Sequence, residues 1–239
     1  MMKKTLEATD TFTGPELYLL AAAFGGNVLF GLPDKQTYQL KGEKVFEEAH
    51  YRLREKEILS LDGKITKAGA MVIKAVETYH QSEKYVRINN LMFAFQDREK
   101  DELIMLVELE EPEHYQLHVI SKSLVLKMLG EKFPVIVREP DEKEKTFLKK
   151  ELSNQEKKEV EGFEPESMFM NLELFHLKEV PKISTNSAYY QQWLIFTKDG
   201  KLMMVDPINK KYYHASQYWF LKKVFDEMEF PYKEAQING

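Results

Sequence analysis

The sequence predicts an α+β protein in which two pseudo-symmetric antiparallel β-meander halves form a central sheet flanked by helices, after an N-terminal helical, winged-helix-like segment. Three observations support this class. Apolar residues follow a helical spacing over the first eighty residues, the spacing changes to that of strands near Tyr85, and a similar strand pattern returns about a hundred residues later. The content of 43% hydrophobic and 31% charged residues is typical of a globular chain.

The N-terminal segment, residues 1–82, is predicted to be helical. Residues 13–16 offer a helix start with a capping threonine and a proline in the first turn, and the helix is expected to end at the glycine pair 25–26. Two further amphipathic helices, "GEKVFEEAHYRLREKEIL" and "KAGAMVIKAVETYH", surround a hairpin signal at Asp62-Gly63. This order of elements is typical of a winged helix.

The first meander and its helix are predicted over residues 83–138. Three strands are expected at "KYVRINNLMFAF", "DELIMLVEL" and "HYQLHVIS", followed by a helix at "SKSLVLKMLGEK" and a further short strand at "PVIVRE". Residues 139–187 are predicted to be a charged connector and a helix. The connector is expected to be a solvated helix or a mobile segment, with a capping box at Ser153 and Glu156, and "PESMFMNLELFHL" is the helix candidate, with Met168, Leu172 and Phe175 on one side.

The second meander and its helix are predicted over residues 188–239. The segment "QQWLIFTKDGKLMMVD" indicates a hairpin around Asp199-Gly200, "KKYYHAS" a third strand, and "QYWFLKKVFDEMEFP" a closing helix. Each meander alone would leave one apolar face exposed, so joining the two in one sheet, or packing sheet on sheet, would bury that area. We therefore expect a single α+β domain over residues 1–239.

Catalytic and metal-binding signatures are missing from the sequence, which predicts neither an enzyme nor a cofactor. There is no cysteine, which excludes disulfides, thiolate metal sites and cysteine nucleophiles and suits the cytoplasm. Among the histidines only His114 and His118 are close, and a zinc site would need further ligands nearby. Phosphate-binding loops and nucleophile-elbow motifs are also missing.

Charge and hydropathy argue against nucleic acid and membranes as partners. The net charge is −5, and no stretch approaches the roughly 18 apolar residues that cross a bilayer. The two lysines at the N-terminus precede no apolar segment, so no secretory signal is expected. The winged-helix-like segment balances its lysines and arginines with acidic residues over residues 43–80, although a recognition helix normally concentrates positive charge.

Aromatic residues are concentrated in the last fifty residues. Trp193, Phe196 and Phe220 are expected in the core, whereas neighbouring tyrosines on a strand must face opposite ways, so one of each pair should be exposed. Exposed tyrosine and tryptophan favour protein contacts. The candidate partner-binding residues are Tyr189, Tyr190, Tyr212, Tyr213, Tyr218 and Trp219.

The order "FTGPELYLLAAAFGGNVLFGLP", "LREKEILSLDGKITKAG" and the first meander resembles the EspG-like chaperones of type VII (ESX) secretion, and most closely their EsaE-like branch. The resemblance implies a cytoplasmic chaperone that binds a helical-hairpin secretion substrate or toxin and keeps it soluble for export. Two alternatives remain open at this point. One is a winged-helix-type transcriptional regulator, and the other is a structural interaction protein that forms a homodimer.

Overall fold

The computed structural model describes residues 10–96, 101–110, 113–161, 169–178 and 188–231. Within these ranges, the helices and strands in chain order are β1 (Thr11–Thr13), α1 (Gly14–Ala22), α2 (Lys35–Gln39), α3 (Lys44–Glu55), α4 (Lys67–His80), β2 (Lys84–Ile88), β3 (Leu91–Ala94), β4 (Glu102–Glu108), β5 (His114–Ser121), α5 (Lys122–Lys132), β6 (Lys149–Glu151), α6 (Asn154–Glu161), β7 (Met170–His176), β8 (Tyr190–Lys198), β9 (Lys201–Asp206), β10 (Lys211–Ala215) and α7 (Gln217–Met228). Two short 3₁₀ helices cover Pro134–Ile136 and Glu142–Thr146. The predicted α+β class with antiparallel meanders is confirmed.

The chain divides into two compact units. The first contains the described residues of Met1–Glu83, Asn90–Asp97 and Leu103–Val119, and the second contains those of Lys84–Asn89, Arg98–Glu102 and Ile120–Gly239. The strand order is β1-β5-β4-β3 in the first unit and β2-β7-β8-β9-β10-β6 in the second. A single domain over residues 1–239 stays a prediction.

Helix α1 begins as the sequence predicts. The Thr13 hydroxyl accepts a hydrogen bond from the Glu16 N–H, and the Glu16 carboxylate accepts one from the Thr13 N–H, which completes a capping box. Glu16 is fully buried and its other oxygen contacts the Lys56 ammonium group at 2.7 Å. Because both side chains are buried, this ion pair fixes the start of α1 against the residue that follows α3.

The first correction concerns the predicted strand over residues 84–95. "KYVRINNLMFAF" does not form one strand but two, β2 and β3, and the break falls at Asn89, whose φ is 53°. Asparagine tolerates this left-handed conformation better than most residues, so Asn89 can end β2 at this point. In β3 all four side chains are buried, including Met92 and Phe93.

Two further corrections concern the second unit. The expected strand "PVIVRE" is a 3₁₀ helix over Pro134–Ile136, where proline occupies the first position and the Ile136 N–H donates to the Phe133 carbonyl. The expected helix "PESMFMNLELFHL" is strand β7 from Met170 onward, paired with both β2 and β8. Leu172 and Phe175 therefore face opposite sides, and Met168 lies outside the described residues.

The charged connector is structured over most of its length. Its capping box is confirmed, since the Ser153 N–H donates to Glu156 Oε2 at 2.9 Å and the Glu156 N–H returns to the Ser153 hydroxyl. Helix α6 follows, and its Val160 packs against Phe196, Met203 and Val205 on one face of the second meander. Helix α7 buries Phe220, Val224 and Met228. Its Trp219 ring contacts Trp193, whose side chain lies on the face of β8 opposite Phe196, so α7 lies on the opposite face of the sheet.

The two meanders are equivalent in element order and in detail. Phe93 pairs with Met105 between β3 and β4, and Phe196 pairs with Met203 between β8 and β9. Each third strand is followed at once by a helix capped by serine: the Ser121 hydroxyl accepts from Leu124 N–H, and the Ser216 hydroxyl accepts from Trp219 N–H. The repeated pattern in the sequence therefore corresponds to a repeated supersecondary structure.

Candidate protein-binding surface

The six predicted partner-binding residues do not form one patch. Tyr213 and Trp219 lie in one aromatic cluster with Tyr218 beside them in the first turn of α7, whereas Tyr190 and Tyr212 belong to other environments. Tyr189 precedes β8, is half-buried, and accepts a backbone hydrogen bond from the His176 N–H. The six residues that the sequence predicted as one binding face therefore lie in several separate locations.

The aromatic cluster is centred on Trp193, which is buried as expected. Its ring lies 5.6 Å from Trp219 in an edge-to-face arrangement and 6.1 Å from Tyr213. The Lys149 ammonium group lies 4.7 Å from the Tyr213 ring and 4.9 Å from the Trp219 ring, so one cation contacts two aromatic faces. Tyr213 is buried, which makes it a support for Lys149 rather than a contact surface.

The accessible part of this cluster lies where the connector meets α7. The Leu148 carbonyl accepts hydrogen bonds from both the N–H and the hydroxyl of Ser216, at 2.9 and 3.0 Å. Leu148 is 57% exposed and Tyr218 is 67% exposed, while Trp219 is partly exposed. We call Leu148, Lys149, Tyr218 and Trp219 the aromatic edge. It combines apolar area, polar tips and a positive charge, which are the properties of protein-contact surfaces.

Tyr190 belongs to a row of polar side chains across strands β2, β7 and β8. Its hydroxyl donates to Glu173 Oε1 at 2.7 Å, and its ring lies 4.7 Å from Phe175. Burial raises the pKa of Tyr190, and the Glu173 carboxylate raises it further. Beside it, Arg87 and Gln192 pair in register with Glu173 from the two neighbouring strands. This row is a hydrogen-bonding surface rather than an apolar one.

Tyr212 lies at the contact between the second meander and α6. The Lys157 ammonium group is 4.9 Å from its ring, and the ring packs against the apolar cluster that contains Val160. Burial raises the pKa of Tyr212, and the nearby Glu161 carboxylate adds to the increase. Trp193, Phe196 and Phe220 are all buried, which confirms the expectation that they belong to the core.

The sequence interpretation missed Leu148 and Lys149, because it treated the connector as solvated. Their position depends on a buried polar network: Glu144 accepts two hydrogen bonds from Arg138, at 2.6 and 2.7 Å, and one from the Gln217 N–H at 2.8 Å. These bonds fix the connector at the start of α7. The sequence contains no local signal for them, since Arg138 and Gln217 are 79 residues apart.

The part of the chain that the structure describes contains neither a cluster of metal ligands nor a membrane-spanning helix. No group of three or more histidine and acidic side chains there could hold a metal ion. His118 lies 3.8 Å from Asp10 instead. No helix within the described ranges is long and apolar enough to span a bilayer.

The winged-helix alternative depends on the charge of the helices in the first unit. A shallow depression of about 450 Å³ on the surface of α3 is lined by three carboxylates, Glu47, Glu48 and Glu55, with Tyr51 and a single cation, Arg52. A surface of this charge repels phosphate. The structure therefore does not favour nucleic acid as a partner of α3.

Comparison with known proteins identifies relatives in type VII secretion. The chain is 26% identical over 195 residues to the type VII secretion system protein EsaE of Staphylococcus aureus, in strain USA300 and in strain NCTC 8325 / PS 47, which covers 82% of this chain and 83% of each relative. Its structure matches the Mycobacterium tuberculosis type VII secretion system chaperone EspG5, solved in complex with the PE25-PPE41 dimer, with a TM-score of 0.52.

The structural match covers 94% of this chain and 97% of the EspG5 chain, at 9% sequence identity. At that identity the match establishes a shared fold. A family model described as "Domain of unknown function (DUF5081)" matches residues 6–236, which is nearly the whole sequence. The chain therefore belongs to the DUF5081 family.

Proposed function

We propose that this protein is a cytoplasmic chaperone of a type VII secretion system, which binds a helical secretion substrate or toxin and keeps it soluble for export. The observation that carries the proposal is the 26% identity to EsaE over 82% of the chain. The fold shared with EspG5, a chaperone solved in complex with a PE25-PPE41 dimer, supports the same class of function. The role requires neither catalysis nor a cofactor.

The client would bind at the aromatic edge. Tyr218 exposes most of its ring in the first turn of α7, and Trp219 adds apolar area on a rigid helix. Apolar side chains at the tip of a helical hairpin could pack on these rings, while Lys149 would meet acidic groups at the rim. Tyr189, Tyr190 and Tyr212 would act as outlying contacts, and the polar row around Glu173 would supply hydrogen bonds.

The first test is co-expression with helical-hairpin proteins encoded beside this gene. We expect one of them to co-purify as a stable complex of fixed stoichiometry and to precipitate when expressed alone, since its apolar tip would then be exposed to water. If every neighbouring protein stays soluble alone and none co-purifies, the chaperone proposal is wrong.

The second test compares two alanine substitutions of similarly exposed tyrosines, one within the aromatic edge and one outside it. Tyr218→Ala should weaken the complex at least tenfold, because a largely exposed tyrosine in a binding centre typically contributes about 2 kcal/mol. Tyr51→Ala is the control, since Tyr51 is 62% exposed, similar to Tyr218, but lies on α3 in the first unit. Equal losses of affinity for both variants, or no loss for Tyr218→Ala, would remove the aromatic edge as the client surface.

A further inference from the structure

Among the residues that the structure describes, strand β6 ends the strand order of the second unit and pairs only with β10. The Leu152 N–H donates to the Tyr212 carbonyl, and the Ser216 N–H donates to the Leu148 carbonyl. Because backbone groups alternate in direction along an antiparallel strand, the N–H and C=O groups of Lys150 also point toward β10. The N–H and C=O groups of Lys149 and Glu151 therefore point away from the sheet, to an edge with no partner strand among the described residues.

The side chains of this edge are complementary to a second copy of themselves. The sequence of residues 148–152 is Leu-Lys-Lys-Glu-Leu, and Lys149, Lys150 and Glu151 are all exposed. In a two-fold antiparallel pair centred on Lys150, each Lys149 lies opposite the Glu151 of the other copy. Leucines lie opposite each other at both ends. Opposite charges directly across such a pair are stabilising.

We propose that two copies of this protein associate through β6, edge to edge and antiparallel, around a two-fold axis at Lys150. In this register the outward N–H and C=O groups of Lys149 in each copy face those of Glu151 in the other copy. Each of these two residue pairs can exchange two backbone hydrogen bonds, which gives four in total. A closed two-fold contact of this kind uses the same patch on both copies and stops at a dimer.

One like-charge contact opposes the pairing, since the two Lys150 side chains face each other across the axis. Lysines on short edge strands commonly discourage such pairing. Here Glu156 provides a nearby counter-charge: hydrogen bonds from Ser153 lower its pKa, and the ammonium groups of Lys150 and Lys201 lower it further. The Glu156 carboxylate is therefore an attractive charge near Lys150 in the same chain.

The charge pattern favours a second copy over uncharged or acidic extended segments. An uncharged strand would leave Lys149 and Glu151 without opposite charges, and an acidic strand would place a carboxylate against Glu151. A complementary segment must place a carboxylate opposite Lys149 and a cation opposite Glu151. Residues 149–151 of another copy, running antiparallel, do so. The contact is small, so the dimer should be weak, reversible and dependent on concentration.

Analytical ultracentrifugation of the full chain over a range of concentrations tests this proposal. The wild type should shift from monomer to dimer as concentration rises. In the Lys149→Glu variant, both opposed pairs of residues 149 and 151 consist of two carboxylates, and in Glu151→Lys both consist of two cations. Each variant alone should therefore self-associate at least tenfold more weakly than the wild type. Mixed in equal amounts, the two variants should form a heterodimer, because every opposed pair is then complementary.

A second variant addresses the backbone. Glu151→Pro removes an N–H that faces outward and so leaves the β6–β10 hydrogen bonds in place, yet it should abolish dimerisation. Thermal unfolding of each variant verifies that the fold persists. A wild type that stays monomeric at every concentration overturns the proposal, as does a dimer that survives Glu151→Pro in a folded protein. None of these outcomes depends on a client, so they are separate from the chaperone tests.

Discussion

Strands β1 and β6 occupy equivalent places in the two halves of this protein, but their open edges differ. Each is three residues long and pairs with the third strand of a meander, β1 with β5 and β6 with β10. In β1 the outward-facing residues are Thr11 and Thr13, because Asp10 and Gly14 bond to β5 and its preceding turn. Both have partners: the Lys56 ammonium donates to the Thr11 carbonyl at 2.6 Å, and the Thr13 N–H donates to Glu16.

In β6 the corresponding positions carry exposed charges, and no described residue bonds to their outward backbone groups. The edge strand beside the first meander, β1, is thus closed by a buried ion pair, whereas the edge strand beside the second meander, β6, is left open. Edge strands are where a sheet can add another chain, and proteins cover such edges, protect them with charged side chains, or use them for association. The difference indicates that β1 has a role in stability, whereas β6 is available for association.

The largest expected effect comes from removing the cation that closes β1. Lys56→Met leaves the buried Glu16 carboxylate without its ion pair and removes the donor to Thr11. Loss of one partner of a buried pair typically costs about 3–5 kcal/mol, so the free energy of unfolding in urea should fall by that amount. The ring of Phe12, which the Lys56 ammonium group approaches to 5.1 Å, would also lose this contact.

Lys64→Met is the matched control for this variant. Lys64 also makes an ion pair, with Asp62, but both side chains are largely exposed. Exposed pairs contribute about 0–1 kcal/mol, so the unfolding free energy should hardly change. If Lys56→Met costs no more than the control, the closure of β1 does not depend on the buried pair.

A smaller effect should separate the two serine caps that begin α5 and α7. Ser216 caps α7 and also donates its hydroxyl to the Leu148 carbonyl just before β6. The Ser121 hydroxyl caps α5 and contacts the Ser123 hydroxyl. Ser216→Ala should cost about 2 kcal/mol and Ser121→Ala about 1 kcal/mol or less. Urea unfolding measures both, and equal losses would show that the Leu148 contact contributes nothing.

Local signals in the sequence account for much of the fold. The capping boxes at Thr13 and Ser153 and the turn at Asp199-Gly200 involve residues within three positions of each other, so they can be predicted without knowledge of tertiary contacts. Strand β7 was misassigned although its buried residues alternate strictly at Met170, Leu172 and Leu174. Its apolar residues also fit a short helix, and pairing with β2 and β8 decided the outcome.

The edge strands β1 and β6 could not be predicted from the sequence, and neither could the aromatic edge beside β6. Three-residue strands such as β1 and β6 are too short to show a period, and their partners are distant in the sequence. Lys149 joins the aromatic edge only because β6 pairs with β10, which places its ammonium group over Tyr213 and Trp219. Composition identified the aromatic residues as candidates, but tertiary pairing separated the exposed ones from the buried ones.

The smallest expected effect concerns His214, which pairs with Lys150 of β6 on the face opposite Lys149. Its Nε2 is buried without a hydrogen-bond partner, its ring lies 4.7 Å from Phe147, and burial lowers its pKa. Below the ordinary histidine pKa of about 6.5 the unfolded chain binds a proton that the folded chain does not, so stability falls as pH falls through that value. Between about pH 7.5 and about pH 5.5, the wild type should lose more unfolding free energy in urea than His214→Gln, which stays neutral. Equal losses of unfolding free energy in both proteins would mean that the folded protein accommodates a charged His214, and that water reaches this side chain beside β6.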